Sequence, residues 1–183
     1  MASVREAALA RRSWPEVTDA APGDDELRDL LEAAGRVADH ASLAPWRVIA
    51  VRGDARARVG RSLAAAAGAE GAAAEKLAAK PLRAPLLLAV VACTRPHPKV
   101  PEWEQDAAAA GVAHLLSLLL DEAGWGVMWR TGPLTRHPLV ADAHHLAPGE
   151  HLLGWLYVGG RPERVRPERR VGPDVAQRFS SLA

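Results

Sequence analysis

The stretch Leu86-Leu87-Leu88-Ala89-Val90-Val91-Ala92-Cys93, with Pro85 before it and Pro96 after it, decides the fold. Eight consecutive apolar residues, with no position set aside for water, describe a strand covered on both faces. Such a strand needs a layer on each side of its sheet and is expected in the middle of that sheet.

Toward the N-terminus, Trp46 to Arg52 alternates apolar with polar or small residues after Pro45, which predicts a short strand. Ala55 to Lys80 has helix propensity throughout and predicts two helices broken near Gly68 or Gly71. Asp24-Asp25-Glu26 opens a helix whose buried stripe is Leu27, Leu30, Leu31 and Ala34. Ser3 to Arg12 predicts a first helix, with Ser3 as N-cap and Arg11 and Arg12 in the last turn, where cations complement the dipole. Trp14 to Gly23 reads as loop.

Toward the C-terminus, a helix starts at Glu102 or Trp103 and runs to about Ala123, apolar on nearly all sides and so expected to be surrounded. Gly124 suits the left-handed position that ends it. Trp125 to Trp129 and Leu152 to Val158 predict the remaining strands, with a short helix from about Pro138 to His144 between them. From Arg161 the chain is rich in Pro and Arg without an apolar pattern, so 161–183 reads as an extended tail that lies on something else. No repeat or linker divides residues 1–183, and one domain is expected. The elements lack the regular strand-helix cadence of a doubly wound fold, which points to a three-layer α+β domain.

A chain of 183 residues buries a sufficient core without staples. With 23 basic and 22 acidic residues the net charge is +1, so no global field holds a nucleic acid or an anionic membrane. The single Cys93 leaves no internal disulfide and suits a reducing cytoplasm; no secretory pattern opens the sequence. Ala107 to Leu120, the longest apolar run, falls short of the roughly 20 residues that a membrane span needs.

Three groups of residues carry candidate chemistry. Arg11-Arg12-Ser13 offers two guanidinium forks and a hydroxyl, donors matched to a phosphate, although a basic helix end accounts for it equally. Arg36, His40 and Ser42 stand where a helix end and a loop approach a strand, a place where side chains reach into a cleft. Trp129-Arg130-Thr131-Gly132 sets a cation and a hydroxyl just past a strand end, after Gly124 and Gly126, which permit close approach. A flavin mononucleotide site requires such a set: donors for the phosphate, polar groups for the ribityl chain, close backbone approach to the ring, and a cation near N1 and O2. No GxGxxG follows the first strand, no Walker motif occurs, and Ser13, Ser42 and Ser62 lack the GxSxG elbow. His144, His145 and His151 cluster in sequence without the spacing of a metal site, and Cys93 reads as packing.

In these residues the chain resembles the FMN-dependent nitroreductase family, most closely its small YdjA-type NAD(P)H members. The likeness extends over Arg11-Arg12-Ser13, Arg36 to Trp46, Arg83-Ala84-Pro85, Lys99 to Gln105, Gly124 to Gly132 and Gly154 to Gly159. It implies an α/β/α fold with a central mixed, mainly antiparallel sheet, helices on both faces, and a tail reaching the partner subunit. It further implies a homodimer with FMN at the interface. Arg11, Arg12 and Ser13 of one subunit, with Trp129, Arg130 and Thr131, would hold the phosphate and ribityl end; Arg36 and His40 would be the other subunit's share. Leu119, Leu120, Asp121, Glu122, Ala123 and Gly124 correspond to a segment associated with nicotinamide nucleotide. The implied activity is NAD(P)H-dependent reduction of nitroaromatic or quinone-like acceptors, a ping-pong two-electron reaction through flavin N5. An enone reductase or another specialised flavoenzyme on the same scaffold, or a flavin-binding protein without turnover, are the alternatives. Ala44 stands where the family has glutamine before Pro-Trp, removing a side-chain amide, and Thr131 stands in for serine.

Overall fold

In chain order the elements are α1 (Val4–Ala10), α2 (Asp24–Ala34), β1 (Trp46–Val51), α3 (Asp54–Ala66), α4 (Gly71–Ala78), β2 (Leu86–Cys93), α5 (Glu102–Glu122), β3 (Trp125–Arg130), α6 (Pro138–Ala143) and β4 (Glu150–Gly160). They come from a computed structural model that describes residues 3–163 and 172–182. Among the described residues the strands form one sheet in the order β1-β2-β4-β3, and every pairing is antiparallel.

All of β2 except Cys93 is buried, and its side chains divide by parity. Leu86, Leu88 and Val90 pack with Leu27 and Ala34 of α2 and Val112, Leu116 and Leu120 of α5. Leu87, Ala89 and Val91 pack with Val59 and Leu63 of α3 and Val140 of α6. This is the three-layer arrangement that an apolar strand without polar positions demands. Each such aliphatic side chain contributes about 1.5–3 kcal/mol on burial, so losing either helical layer would cost far more than the fold can spare.

A bulge interrupts the parity of β4. Leu152 faces Val91 and Gly154 faces Val90, leaving Leu153 without a partner. Leu152 and Trp155 consequently share one face although three residues apart. The inserted residue thus sets which β4 side chains join Arg130 and Met128 of β3, since Arg130 pairs with Trp155 and Met128 with Tyr157.

The helix predicted over residues 3–12 is shorter. Ser3 caps it through a reciprocal bond with Glu6, but it ends at Ala10, and Arg11 has left the helix at φ −51°, ψ 133°. Arg11 and Arg12 are therefore not in a last helical turn. The chain straightens because Trp14 must reach the sheet: its N–H donates to the Val127 carbonyl (2.9 Å) and its buried indole Nε1–H to Asp121 Oδ1 (3.0 Å). Further on, Thr18 N–H donates to the Gly160 carbonyl (2.8 Å), so the predicted loop pins the edge of β3 and the end of β4.

The helix α5 starts and stops as predicted, with Gly124 beyond it at φ +95°. The described residues do not surround it, however. One side packs on the sheet and α2, whereas Trp103 is 69% exposed, His114 is exposed and Leu118 is half-buried. No helix of the described residues is long and apolar enough to cross a membrane. In the tail, Arg161 bonds the Asp121 carboxylate (3.0 Å) and carbonyl, tying residue 161 to the end of α5. The predicted tail falls partly outside the described residues; in 172–182, Val175, Phe179 and Leu182 are exposed and have no core of their own.

Candidate functional site

The end of β3 opens onto a cavity of about 490 Å³ on the α3 side of the sheet. Ligand sites fall in the range of about 300–1,000 Å³. Trp129, Arg130, Thr131 and Gly132 form one wall. Trp155 and Tyr157 of β4 form another, both nearly buried, and Lys80 and Arg83 complete it from the turn before β2.

Lys80 and Arg83 belong to a 3-10 turn, Lys80–Arg83. Residues three apart eclipse in that geometry, so one turn sends both cations to the same side. Arg130 extends over Tyr157, its Cζ 5.1 Å from the ring centroid. Among the described residues its buried Nε has no hydrogen-bond partner; the buried Nε1 of Trp129 has none there either, but that indole packs on the opposite face, edge-on to His114 of α5. Buried donors are nearly always satisfied, and a lapse costs about 1–3 kcal/mol, so Arg130 Nε marks a place for an acceptor. The set fits a planar, anionic ligand: aromatic and aliphatic walls with three cations around them.

The other predicted residues lie elsewhere on the chain. Arg11 and Arg12 are half-buried and Ser13 exposed, on the extended stretch after α1. The Arg12 guanidinium stacks on Trp14 at 4.7 Å, and that of Arg161 lies 5.1 Å from the same ring. Arg36 is exposed just past α2. His40 Nδ1 bonds Glu104 Oε2 at 2.8 Å, beside Asp39 and Trp103 in a shallow depression along α5. Ser42 is exposed in the same loop. None of these six lines the cavity at Arg130. A single chain thus brings Trp129, Arg130 and Thr131 together with Lys80 and Arg83, and holds Arg11, Arg12, Ser13, Arg36, His40 and Ser42 apart from them.

The loop carrying His40 and Ser42 is strained. Ala41, Ser42 and Ala44 have φ of 64°, 52° and 45°, a left-handed conformation that costs on the order of 1 kcal/mol per non-glycine residue. Asp39 Oδ2 accepts the Ala44 N–H at 2.6 Å, and Arg95 Nη2 donates to the Leu43 carbonyl at 3.2 Å. These contacts hold a backbone that would otherwise relax, and strain retained in this way concentrates at binding sites.

In the segment Leu119 to Gly124, Leu120 is fully buried and Asp121 nearly so, its carboxylate engaged by Trp14 and Arg161. Leu119 is half-buried; Glu122, Ala123 and Gly124 are exposed. The three clustered histidines diverge. His144 bonds Val140 and Trp155, His151 Nε2 pairs with Asp106 Oδ1 at 2.7 Å, and His145 sits exposed at φ 52°.

The sequence reading missed Lys80, Trp155 and Tyr157 and noted Arg83 only as part of a likeness. The cation needed near a flavin ring was expected but not assigned. The available signal was the spacing of Lys80 and Arg83 immediately before the central strand, together with the aromatic pair at Trp155 and Tyr157 on one face of β4.

The family model described as the nitroreductase family matches residues 8–160. The YdjA protein of Escherichia coli (strain K12), named provisionally as an NAD(P)H nitroreductase, is 34% identical over 154 residues, covering 82% of this chain and 84% of that protein. A similarly named protein of Haemophilus influenzae is 29% identical over 165 residues, covering 88% and 90%. Among solved structures, a nitroreductase-like family protein from Bacillus cereus superposes with a TM-score of 0.85 at 22% identity, covering 100% of this chain and 97% of that one. The FMN and NADPH-dependent nitroreductase NfnB from sphigopyxis sp. strain HMH gives 0.75 at 19% identity, with both chains covered fully.

Proposed function

The chain belongs to the nitroreductase family, and on that premise we propose that it is an FMN-dependent NAD(P)H oxidoreductase acting on flat electrophiles such as nitroaromatics and quinones. The observation that carries the proposal is the cavity at the end of β3, where Lys80, Arg83 and Arg130 converge beside Trp155 and Tyr157. Bound there, FMN would supply two-electron chemistry, accepting a hydride from NAD(P)H and passing the pair to a second substrate in a ping-pong cycle.

The protein's part is positioning and charge. Lys80, Arg83 and Arg130 set a positive field in a partly enclosed site, where fixed cations offset negative charge more effectively than water does. Arg130 Nε, with no partner among the described residues, is an unused donor at that site. Trp155 and Tyr157 exclude water from one side and favour flat molecules. No side chain of the cavity is needed as a general acid or base.

The site is completed by a second copy of the chain. Arg11, Arg12 and Ser13, with Arg36, His40 and Ser42, stand away from the cavity, and α5 leaves Trp103 exposed next to His40. A two-fold dimer through this exposed side of α5 is the assembly that the family reading calls for, with these residues contributed from both copies. Residues 172–182, which have no core of their own, lie on that partner. A nicotinamide contact from Leu119 to Gly124 falls chiefly to Glu122, Ala123 and Gly124, the exposed members.

An absorption spectrum of the protein as purified, before and after anaerobic addition of NADH or NADPH, tests the reading. A flavin spectrum bleached by either donor and restored by a nitroaromatic or quinone is expected. A colourless protein whose melting temperature and FMN fluorescence are unchanged by added FMN overturns it.

A further inference from the structure

We propose that His144 is a positioning residue for the cavity: through an acceptor that only one neutral tautomer offers, it fixes the indole of Trp155 as the cavity wall. His144 follows α6 and is 3% exposed. Its Nδ1 lies 2.7 Å from the Val140 carbonyl, and its Nε2 lies 2.9 Å from Trp155 Nε1. A carbonyl can only accept and an indole N–H can only donate. The ring therefore carries its proton on Nδ1 and presents a lone pair at Nε2.

That lone pair matters because of where Trp155 lies. The indole is 5% exposed, lines the cavity, and belongs to the residue paired with Arg130 across the strands. The two rings are tilted by 45° with centroids 5.7 Å apart, so the orientation of the indole is held by the hydrogen bond rather than by stacking. Without the acceptor, Trp155 would keep a buried donor unpaired or turn its N–H toward the cavity to reach water. Either outcome changes the surface that Arg130 and a ligand meet. Neither nearby charged or titratable side chain bonds the His144 ring: Arg47 is engaged by both oxygens of Glu150 at 2.7 Å, and His145 is exposed.

The proposal rests on the flavin reading for its ligand but not for its geometry, and two measurements separate them. In wild-type protein, long-range proton-nitrogen NMR of the His144 ring should show a protonated Nδ1 and an unprotonated Nε2. The Trp155 indole resonance, assigned by its loss in Trp155→Phe, should appear where a hydrogen-bonded N–H does. A ring protonated at Nε2 would overturn the proposal in the wild type alone, whether or not any variant folds. His144→Phe keeps the ring volume without an acceptor and should move the Trp155 resonance and weaken FMN binding roughly tenfold or more. His144→Gln returns an acceptor and should restore both, which a residue acting only through bulk would not do. FMN affinity unchanged in folded His144→Phe overturns the positioning role. Failure of wild-type protein to bind FMN refutes the flavin reading, while the tautomer and the indole resonance still judge this one.

Discussion

Gly154 of β4 stands so close to the end of β3 that a Cβ on it would lie 2.5 Å from the carbonyl oxygen of Arg130. The same Cβ would lie 2.8 Å from Trp129 Nε1 and 3.0 Å from the Thr131 methyl. Gly154 also has φ +138° beside the bulge, a conformation open mainly to glycine. The wall of the candidate site is therefore built on the absence of a side chain.

Gly154→Ala should destabilise the protein by about 2–4 kcal/mol, combining backbone strain with a clash against backbone that cannot move aside freely. For a chain of this length that corresponds to a melting temperature lower by several degrees. FMN affinity should fall as well, because Trp129 to Thr131 are displaced. Retention of both values would mean that the end of β3 is not held as described.

A site shared between two chains can be tested by mixing subunits. Arg130→Ala and Arg36→Ala should each weaken FMN binding by roughly tenfold or more, the scale of a hydrogen bond to a charged group. Refolding the two variants together yields mixed dimers with one intact site and one carrying both changes. Recovery of tight binding at one site per mixed dimer is expected; no recovery would place both arginines in the same chain's site.

Acid should weaken the fold in two stages. Burial pushes His144 below its ordinary value near 6.5, so the unfolded chain takes the proton first as pH drops. Its contribution is fully present above pH 6.5 and is lost below it, at up to about 1.4 kcal/mol for each step of one in pH. The Arg47 guanidinium, with the Ala147 N–H, holds Glu150 down at about 2, so that carboxylate's contribution is present above about pH 4.5 and lost as pH falls toward 2. Urea midpoints between pH 8 and 3 should show both losses. His144→Phe should flatten the upper stage and Glu150→Gln the lower; an unchanged profile in either variant would refute the assignment.

Cys93 should be inert in the native protein. Burial, with hydrogen bonding to Glu150 next, pushes its thiol up to about 11 from an ordinary value near 9. The reactive species is the thiolate, and at pH 8 the folded protein then holds roughly a hundredth of the thiolate present in an unfolded chain. A thiol reagent at that pH should modify folded protein at least about a hundredfold more slowly than protein in urea. Equal rates would show that the β2 end opens readily.

Much of the architecture was legible from apolar pattern and punctuation. Leu86 to Cys93 has no residue that could face water, and α5 runs as predicted from Glu102 to Glu122 and stops before Gly124. The end of α1 was misread because Arg11 and Arg12 are good helix formers. What ends the helix is the bond from Trp14 to Val127, which no local signal announces. The expectation that α5 is surrounded was met on one side only, since an apolar surface calls for cover without saying which chain supplies it.

By itself the sequence determined the elements, the two buried faces of β2, and the presence of Trp129 to Thr131 at a strand end, all of which follow from local periodicity and turn chemistry. The tertiary structure alone decided which side chains meet there. Lys80 and Arg83 converge through a 3-10 turn, and Trp155 and Tyr157 reach the cavity face through the inserted Leu153. His144 finds its partner eleven residues away across a packed layer. One residue more or less in a strand turns every later side chain to the other face, so convergence depends on register, and register is settled by packing across the whole sheet.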